Sequence, residues 1–352
     1  MEPVNISING KELQIPGELT ILEAARDHGI YIPNLCYEQR LEPYGACRLC
    51  LVQVEGARGL LPSCTTQVTE GMVIQTETED LVRIRRTLIG LLLSDHPQDC
   101  MTCESGGQCQ LQDLAYDYGV RQTPFVGAAH DFEVRSENPL IERDYNKCIL
   151  CGRCIRICRE VQGVGVYDFV NRGFKAVPGT PYDLPMQETP CEFCGQCVST
   201  CPTGAITAIP SKGQGRVWQV EKVRTTCCYC GCGCQLDLHL RNGKVVEVSS
   251  PVMEGPGQGN LCVKGRFGYG FIDHPDRLTQ PLIRKNGDFE EVSWDEALDY
   301  VAGKLSDIKA SYGADSIGFL TSARITNEEN YLVQKFARAV IGTNNVDHCA
   351  RL

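Results

Sequence analysis

The sequence predicts a multidomain α+β chain, a run of small metal-organised modules followed by an α/β segment. Three observations carry that expectation. The 352 residues include 22 cysteines, and these fall into five groups, each with its own spacing. Near the start, Val4–Ile8 and Leu13–Ile15 alternate apolar and polar positions as paired strands do. From residue 277 the pattern changes to helix, strand, helix.

Composition narrows the function. Hydrophobic residues make up 42% of the chain, an ordinary share for a folded protein. The formal net charge of −10 argues against a nucleic-acid role, which needs a basic surface. The opening MEPVNISING has neither the basic region nor the apolar stretch of a signal peptide. The longest apolar run, Leu88–Leu93, is six residues, far below the ~20 of a membrane span. A cytoplasmic chain keeps its thiols reduced, so the cysteines point to metal rather than disulfides.

In residues 1–80, Val4, Ile6 and Ile8 alternate, Asn9-Gly10 signals a hairpin turn, and Leu13 and Ile15 resume the alternation. Thr20 opens a short helical pattern through Leu22, Ala25 and Arg26. Cys36, Cys47, Cys50 and Cys64 follow as C-x10-C-x2-C-x13-C. Four thiolates of this kind hold two irons, with a zinc ribbon as the alternative.

Residues 81–120 begin with a helical stretch, Leu81 to Leu93, and continue as HPQDCMTCESGGQC. His96, Cys100, Cys103 and Cys109 there form a mixed ligand set. Imidazole in place of one thiolate lowers the negative charge of such a site and should raise its reduction potential.

Residues 138–210 hold an internal repeat. Cys148, Cys151, Cys154 and Cys158 run C-x2-C-x2-C-x3-C, and Cys191, Cys194, Cys197 and Cys201 repeat it, with Pro202 following. This is the bacterial ferredoxin run, in which the fourth cysteine serves the other cluster. Cys148, Cys151, Cys154 and Cys201 are therefore assigned to one [4Fe–4S], and Cys191, Cys194, Cys197 and Cys158 to a second. Arg159 stands where a proline is usual, so the first run departs slightly from the pattern.

In residues 220–276 the stretch TTCCYCGCGC allows several registers. Cys227, Cys230 and Cys234 give C-x2-C-x3-C, and Cys262 supplies a fourth ligand. Cys228 and Cys232 are then spare, as small packing residues or as members of a shifted register. Alternating residues flank Asn242-Gly243, so a β-hairpin follows the ligand loop.

In residues 277–352, Trp294, Ala297, Leu298, Val301, Leu305 and Ile308 share one helical face behind a Ser293/Glu296 capping box. Asp315–Leu320 reads as a strand. A second helix starts at Thr326 with Glu329 as its box partner and stops at Gly342. Such a helix should feed another strand, for which NNVDHCARL leaves almost no chain. Cys349 is read as a packed thiol.

These motifs carry a family resemblance over essentially the whole chain. The first two cysteine groups resemble the front modules of the NADH dehydrogenase large subunit and of [FeFe]-hydrogenases, which implies a β-grasp [2Fe–2S] domain and a His-ligated [4Fe–4S] segment. The C-x2-C-x3-C loop with CVKGRFG resembles the entry to the molybdenum or tungsten bis-pterin oxidoreductases, and the segment SARITNEENYLVQKFARAVIGTNNVDHCARL resembles cytosolic formate dehydrogenases. The resemblance implies one [2Fe–2S], four [4Fe–4S] and a Mo- or W-bis-MGD cofactor. It places Lys264 between cluster and pterin, as the candidate catalytic and cofactor-binding residue. It implies formate oxidation or CO2 reduction, with flavin/NAD(P)-reducing, hydrogenase or ferredoxin-linked subunits as partners.

In formate dehydrogenases NNVDHCARL is followed by the cysteine or selenocysteine that binds the metal. A chain ending at Leu352 is expected if a selenocysteine codon is read as a stop, and such a chain should not oxidise formate by itself. The alternatives are a stand-alone electron-transfer subunit, or a protein of the NADH-dehydrogenase or hydrogenase kind. An NADH-dehydrogenase large subunit is expected to lack the doubled ferredoxin run, and a hydrogenase to carry H-cluster cysteines in place of Cys227–Lys264.

Overall fold

The computed structural model describes residues 2–348, so Cys349 and its reading as a packed thiol lie outside the described residues. Strands β1 (Pro3–Ile8) and β2 (Lys11–Pro16) form an antiparallel hairpin. Asn9 and Gly10 close it at φ 53° and 80°, the left-handed pair that a two-residue turn requires. Thr20 caps α1 (Ile21–Asp27) in a reciprocal box with Glu23. With β3 (Leu51–Val54), β4 (Leu61–Pro62) and β5 (Val73–Gln75) the sheet runs β2-β1-β5-β3-β4, and β1 and β5 are parallel. Ile6, Ile8, Ile15, Ile21 and Ile74 fill its core together with Cys50 and Cys64.

Helices α2 (Glu79–Leu93) and α3 (Gln110–Asp117) form the next module. Its core takes Leu35 and Leu49 from the first module, beside Ile89, Leu111 and Leu114. Arg85 of α2 is wholly buried and donates to the Leu49 and Leu51 carbonyls and the Tyr118 hydroxyl.

In the repeat module β6 (Ile141–Arg143) pairs antiparallel with β9 (Ile206–Ala208), so the two ends of the module meet. Between them lie α4 (Arg153–Arg156), which widens into a π-turn over Ile157–Val161, and α5 (Gln196–Thr200). A hairpin of β7 (Asp168–Val170) and β8 (Val177–Gly179) separates the two.

Strands β10 (Glu221–Thr226), β11 (Gln235–Arg241) and β12 (Lys244–Ser249) form an antiparallel sheet, followed by α6 (Val263–Phe267). The last region has the hairpin β13 (Leu282–Lys285) and β14 (Asp288–Glu291), then α7 (Trp294–Tyr312), β15 (Phe319–Thr321), α8 (Asn327–Phe336) and β16 (Val346–His348).

Two expectations are corrected here. Ala314–Ser316 is a 3-10 turn and the strand is only Phe319–Thr321, because the α7 stop at Gly313 is absorbed by that turn. The residues after Gly342 do form a strand: Val346–His348 pairs in parallel with β15 across the α8 crossover. Helix α7 is present, but none of its residues is buried within the described chain. Among the described residues no helix is long and apolar enough to cross a membrane.

Candidate metal centres and the joints between them

The first cysteine group sits where the loops of the N-terminal sheet converge. Cys36, Cys50 and Cys64 are buried, and the sulphurs of Cys50 and Cys64 are 3.4 Å apart. The Cys47 amide donates to the Cys36 sulphur at 3.5 Å, and the Leu35 amide to the Cys47 sulphur at 3.4 Å. Cys36 is pulled well below an ordinary thiol by hydrogen bonds from Cys47 and Cys64, and Cys50 to about 7 by one from Cys64. Cys47 is pushed up by its bond to Cys36, and Cys64 by its bonds to Cys36 and Cys50. Four thiols crowded into shared protons are what a deprotonating metal group would relieve.

The two ferredoxin runs fold alike. Leu150 and Phe193, each inside a C-x2-C, stand at φ 53° and 51°, and the glycines that follow, Gly152 and Gly195, at 72° and 70°. The left-handed residue aims its amide at the first sulphur of each run, Leu150 to Cys148 and Phe193 to Cys191, both at 3.4 Å. A bulky residue held there costs on the order of 1–3 kcal/mol and persists where its surroundings demand it. Amides directed at sulphur suit a thiolate-bound cluster, whose potential they tune.

Cys148, Cys151, Cys154 and Cys201 all line one small cavity, with Tyr145, Ile149 and Ile206 among its apolar walls. Burial pushes Cys148 up to about 12 and Cys151 up to about 11, and the charge of Cys201 adds to both. On the other side burial raises Cys197 strongly, and Cys194, Cys191 and Cys158 add to it. The Cys158 sulphur accepts from the Val166 amide at 3.3 Å. The fourth cysteine of each run thus faces the first three of the other.

In the second group Cys103 and Cys109 are buried and Cys100 is exposed. Burial raises Cys109 to about 11, and Cys103 and Cys100 add to it. The charged neighbours of His96 are Asp99, Lys147, Asp144 and Asp95. Lys147 faces both His96 and Cys103. Burial lowers the His96 imidazole, which favours its neutral form, and its Nδ1 is buried without a hydrogen-bond partner. A neutral, orphaned ring nitrogen fits a metal ligand.

The fifth group occupies the β10–β11 loop and the start of α6. Cys227 is buried, Cys234 half-buried, and Cys228, Cys230, Cys232 and Cys262 are exposed. The Cys227 amide donates to the Cys234 carbonyl at 2.8 Å. Burial raises Cys227, and Cys228, Cys262 and Cys230 add to it. The sulphurs of Cys232 and Cys234 approach to 3.4 Å, so the register stays open at Cys232. Lys264 lies exposed on α6, two residues past Cys262. Among the described residues no three or more His, Cys, Asp or Glu groups close around a single-ion position.

Spacing alone misses the joints between these centres. Arg156 donates to the carbonyls of Cys36 and Glu42 at 2.6 and 2.7 Å. Arg216 reaches the carbonyls of Cys103 and Met101. Arg266 donates to the Cys194 carbonyl at 2.9 Å. Each ties the backbone of a candidate ligand cysteine to an arginine further along the chain, outside that cysteine's module. The only local signal is the arginines inside CGRCIRICR. The Gln110 amide also bonds the Pro202 carbonyl at 3.0 Å, and the Gly204 backbone lies against the Cys103 sulphur.

Comparisons with known proteins agree with this layout. Residues 1–79 match a 2Fe-2S iron-sulfur cluster binding domain, and 85–124 the NADH-ubiquinone oxidoreductase-G iron-sulfur binding region. Residues 138–207 match the ferredoxin-like domain of NADH-quinone oxidoreductase subunit 3. Residues 220–274 match the molybdopterin oxidoreductase Fe4S4 domain, and 277–352 match molybdopterin oxidoreductase. The chain is a series of iron–sulfur domains joined to a molybdopterin oxidoreductase segment.

This iron–sulfur chain is 40% identical over 349 residues to the NADPH-Fe(3+) oxidoreductase subunit alpha of Geobacter sulfurreducens. It is 38% identical over 352 residues to a G-type NADH-quinone oxidoreductase subunit of Rhizobium meliloti, and 30% over 393 residues to a provisionally named formate dehydrogenase of Staphylococcus aureus. Each match takes in 99% of this chain but only 39–40% of the relative, so the chain spans about 40% of their length. The crystal structure of an NAD+-reducing [NiFe]-hydrogenase in its H2-reduced state superposes with a TM-score of 0.57 at 27% identity, over 61% of this chain and 91% of that one. One expectation is overturned. The doubled ferredoxin run does not separate this chain from NADH dehydrogenases, because it lies inside a match to their subunit 3.

Proposed function

We propose that residues 2–276 form an electron relay of one [2Fe–2S] and four [4Fe–4S] clusters. It would serve a Mo- or W-bis-pterin site that oxidises formate or reduces CO2 in the complete protein. When bound, the clusters supply one-electron steps and the pterin metal a two-electron exchange. The carrying observation is the crossed cysteine arrangement of the repeat, which puts two candidate centres side by side and touches a further module at each end. Cys151 lies within the field of Cys36, and Cys154 within that of Cys197. The order is then Cys227/Cys230/Cys234/Cys262, Cys191/Cys194/Cys197/Cys158 and Cys148/Cys151/Cys154/Cys201. From there one branch leads to Cys36/Cys47/Cys50/Cys64 and another to His96/Cys100/Cys103/Cys109. Lys264 would sit at the pterin end.

Formate as substrate is supported by the C-terminal segment and the Staphylococcus relative. A second reading, a relay linked to NAD(P)H without formate chemistry, is favoured by the higher identities to the Geobacter and Rhizobium proteins. The partner in either case is a flavin/NAD(P), hydrogenase or ferredoxin-linked subunit. Two measurements test this. Anaerobic reconstitution should give about 18 irons per chain; about four, or zinc in their place, would sink the relay. In the complete protein, formate should bring up the reduced-cluster EPR signals. If only NAD(P)H does so, the second reading holds.

A further inference from the structure

Two buried guanidiniums stand beside equivalent glycines of the ferredoxin repeat, and neither meets a carboxylate within 4.0 Å among the described residues. Arg153 follows Gly152, is 5% exposed, and donates to the carbonyls of Tyr37 and Thr200. Arg266 comes from α6, is 5% exposed, and donates to the Cys194 carbonyl and to Gln196 Oε1 at 3.1 Å. Its side chain crosses Gly195 so closely that a Cβ there would lie 2.2 Å from Arg266 Cδ. Gln196 occupies in the second run the place that Arg153 holds in the first.

A buried charge without a counter-charge costs several kcal/mol. The cysteines acting on Arg153 are Cys151, Cys201 and Cys36, and those acting on Arg266 are Cys194 and Cys197. One carboxylate adds to each from beyond 4.0 Å, Glu38 and Glu247. Glu38 is already paired with Arg40 at 2.9 Å, and Glu247 lies 3.6 Å from His239. Thiolates that hold a cluster are then the anions left to offset the two charges. Tyr37 belongs to the first module and Asn260, bonded to Gln196, to the fourth. Each arginine stands at a joint between one half of the repeat and a neighbouring cluster-bearing module.

Resting on the relay reading above, we propose that Arg153 and Arg266 are paired positioning residues. Each supplies the counter-charge for one [4Fe–4S] site, Arg153 for Cys148/Cys151/Cys154/Cys201 and Arg266 for Cys191/Cys194/Cys197/Cys158. Each thereby makes that site easier to reduce. The second half of the repeat lacks its own arginine and borrows one from the next module, so that site reaches its working potential only when the fourth module is docked.

EPR-monitored redox titration of the anaerobically reconstituted chain tests this with Arg153→Gln, Arg266→Gln, the two Lys variants, and Arg284→Gln on the exposed β13 as control. Each Gln variant should move one [4Fe–4S] midpoint to more negative potential, a different signal in each. The shift should be about tenfold in electron affinity, or ~59 mV for one electron. Lys should restore most of it, and the control should move none. Full iron with every midpoint unmoved overturns the proposal, as does loss of about four irons with the remaining midpoints in place, which marks a purely structural role. Should one Gln variant fail to fold, its Lys counterpart and the other Gln variant carry the same test. A wild-type chain low in iron or rich in zinc would instead remove the relay reading itself.

Discussion

The first C-x2-C-G turn of the repeat carries its guanidinium in its own next residue, and the second receives one from 71 positions along the chain, Gly195 to Arg266. The φ angles at the two turns agree within a few degrees, yet their surroundings differ completely. Gly152 has nothing nearer to a would-be Cβ than Tyr44 at 3.5 Å, whereas Gly195 is overrun by Arg266. Duplication thus preserved the thiol geometry and left the outer face of each copy to adapt to its own neighbour. The first copy met a ferredoxin-like sheet and the second the loop and helix of the fourth module.

The sharpest way to break the comparison is to remove the crossed cysteines. Cys201→Ser and Cys158→Ser should each cost about four irons per chain. Combined with Cys148→Ser, Cys201→Ser should cost no more, because both serve one site, while Cys158→Ser should raise the loss to about eight. Iron analysis showing the reverse would mean that each run holds its own cluster. Next in size are the glycines. Gly152→Ala should cost about 1–2 kcal/mol, the penalty of a side chain in the left-handed region. Gly195→Ala should cost about 1–3 kcal/mol beyond that from the clash with Arg266. Equal shifts in denaturation midpoint would show that Arg266 does not rest on Gly195.

A further effect concerns pH. In the metal-free chain burial raises Cys148 and Cys151 to about 12 and 11 from an ordinary 9.0. Thiols whose folded values are raised lend stability that is present below pH 9 and lost as pH climbs towards those values. The urea midpoint of the stripped chain should therefore fall between pH 8 and pH 11. Loading should behave oppositely, since binding expels the protons, and iron uptake should strengthen as pH rises. A flat urea profile would mean that these thiols are not buried in the stripped chain.

Much of the fold and of the grouping of the candidate cysteines was legible because both rest on short-range rules. The Asn9-Gly10 turn, the Thr20 cap and the four-residue grammar of the repeat each depend on neighbours a few positions away. The arginine joints were not legible, because Arg153 meets Tyr37 across 116 residues and Arg266 meets Cys194 across 72. The fifth group shows an intermediate case: spacing proposes Cys227, Cys230, Cys234 and Cys262, and the fold leaves Cys232 close enough to compete. Periodicity also has a limit of its own. The stripe on α2 buries Leu81 and Ile89, while the equally regular stripe on α7 leaves Trp294, Leu298 and Val301 65%, 58% and 51% exposed. A repeat of apolar residues specifies that a face exists, but not what covers it.

The β7–β8 hairpin offers a practical handle. The segment that carries it runs between two candidate ligands, Cys158 before and Cys191 after, and its tip at Asn171 and Arg172 is exposed. Doubling the length of a closed loop costs only about 0.6 kcal/mol. The tip is therefore a place to graft a tag or an electrode tether, wiring the protein to a surface at its midpoint while leaving the ligand turns on either side undisturbed.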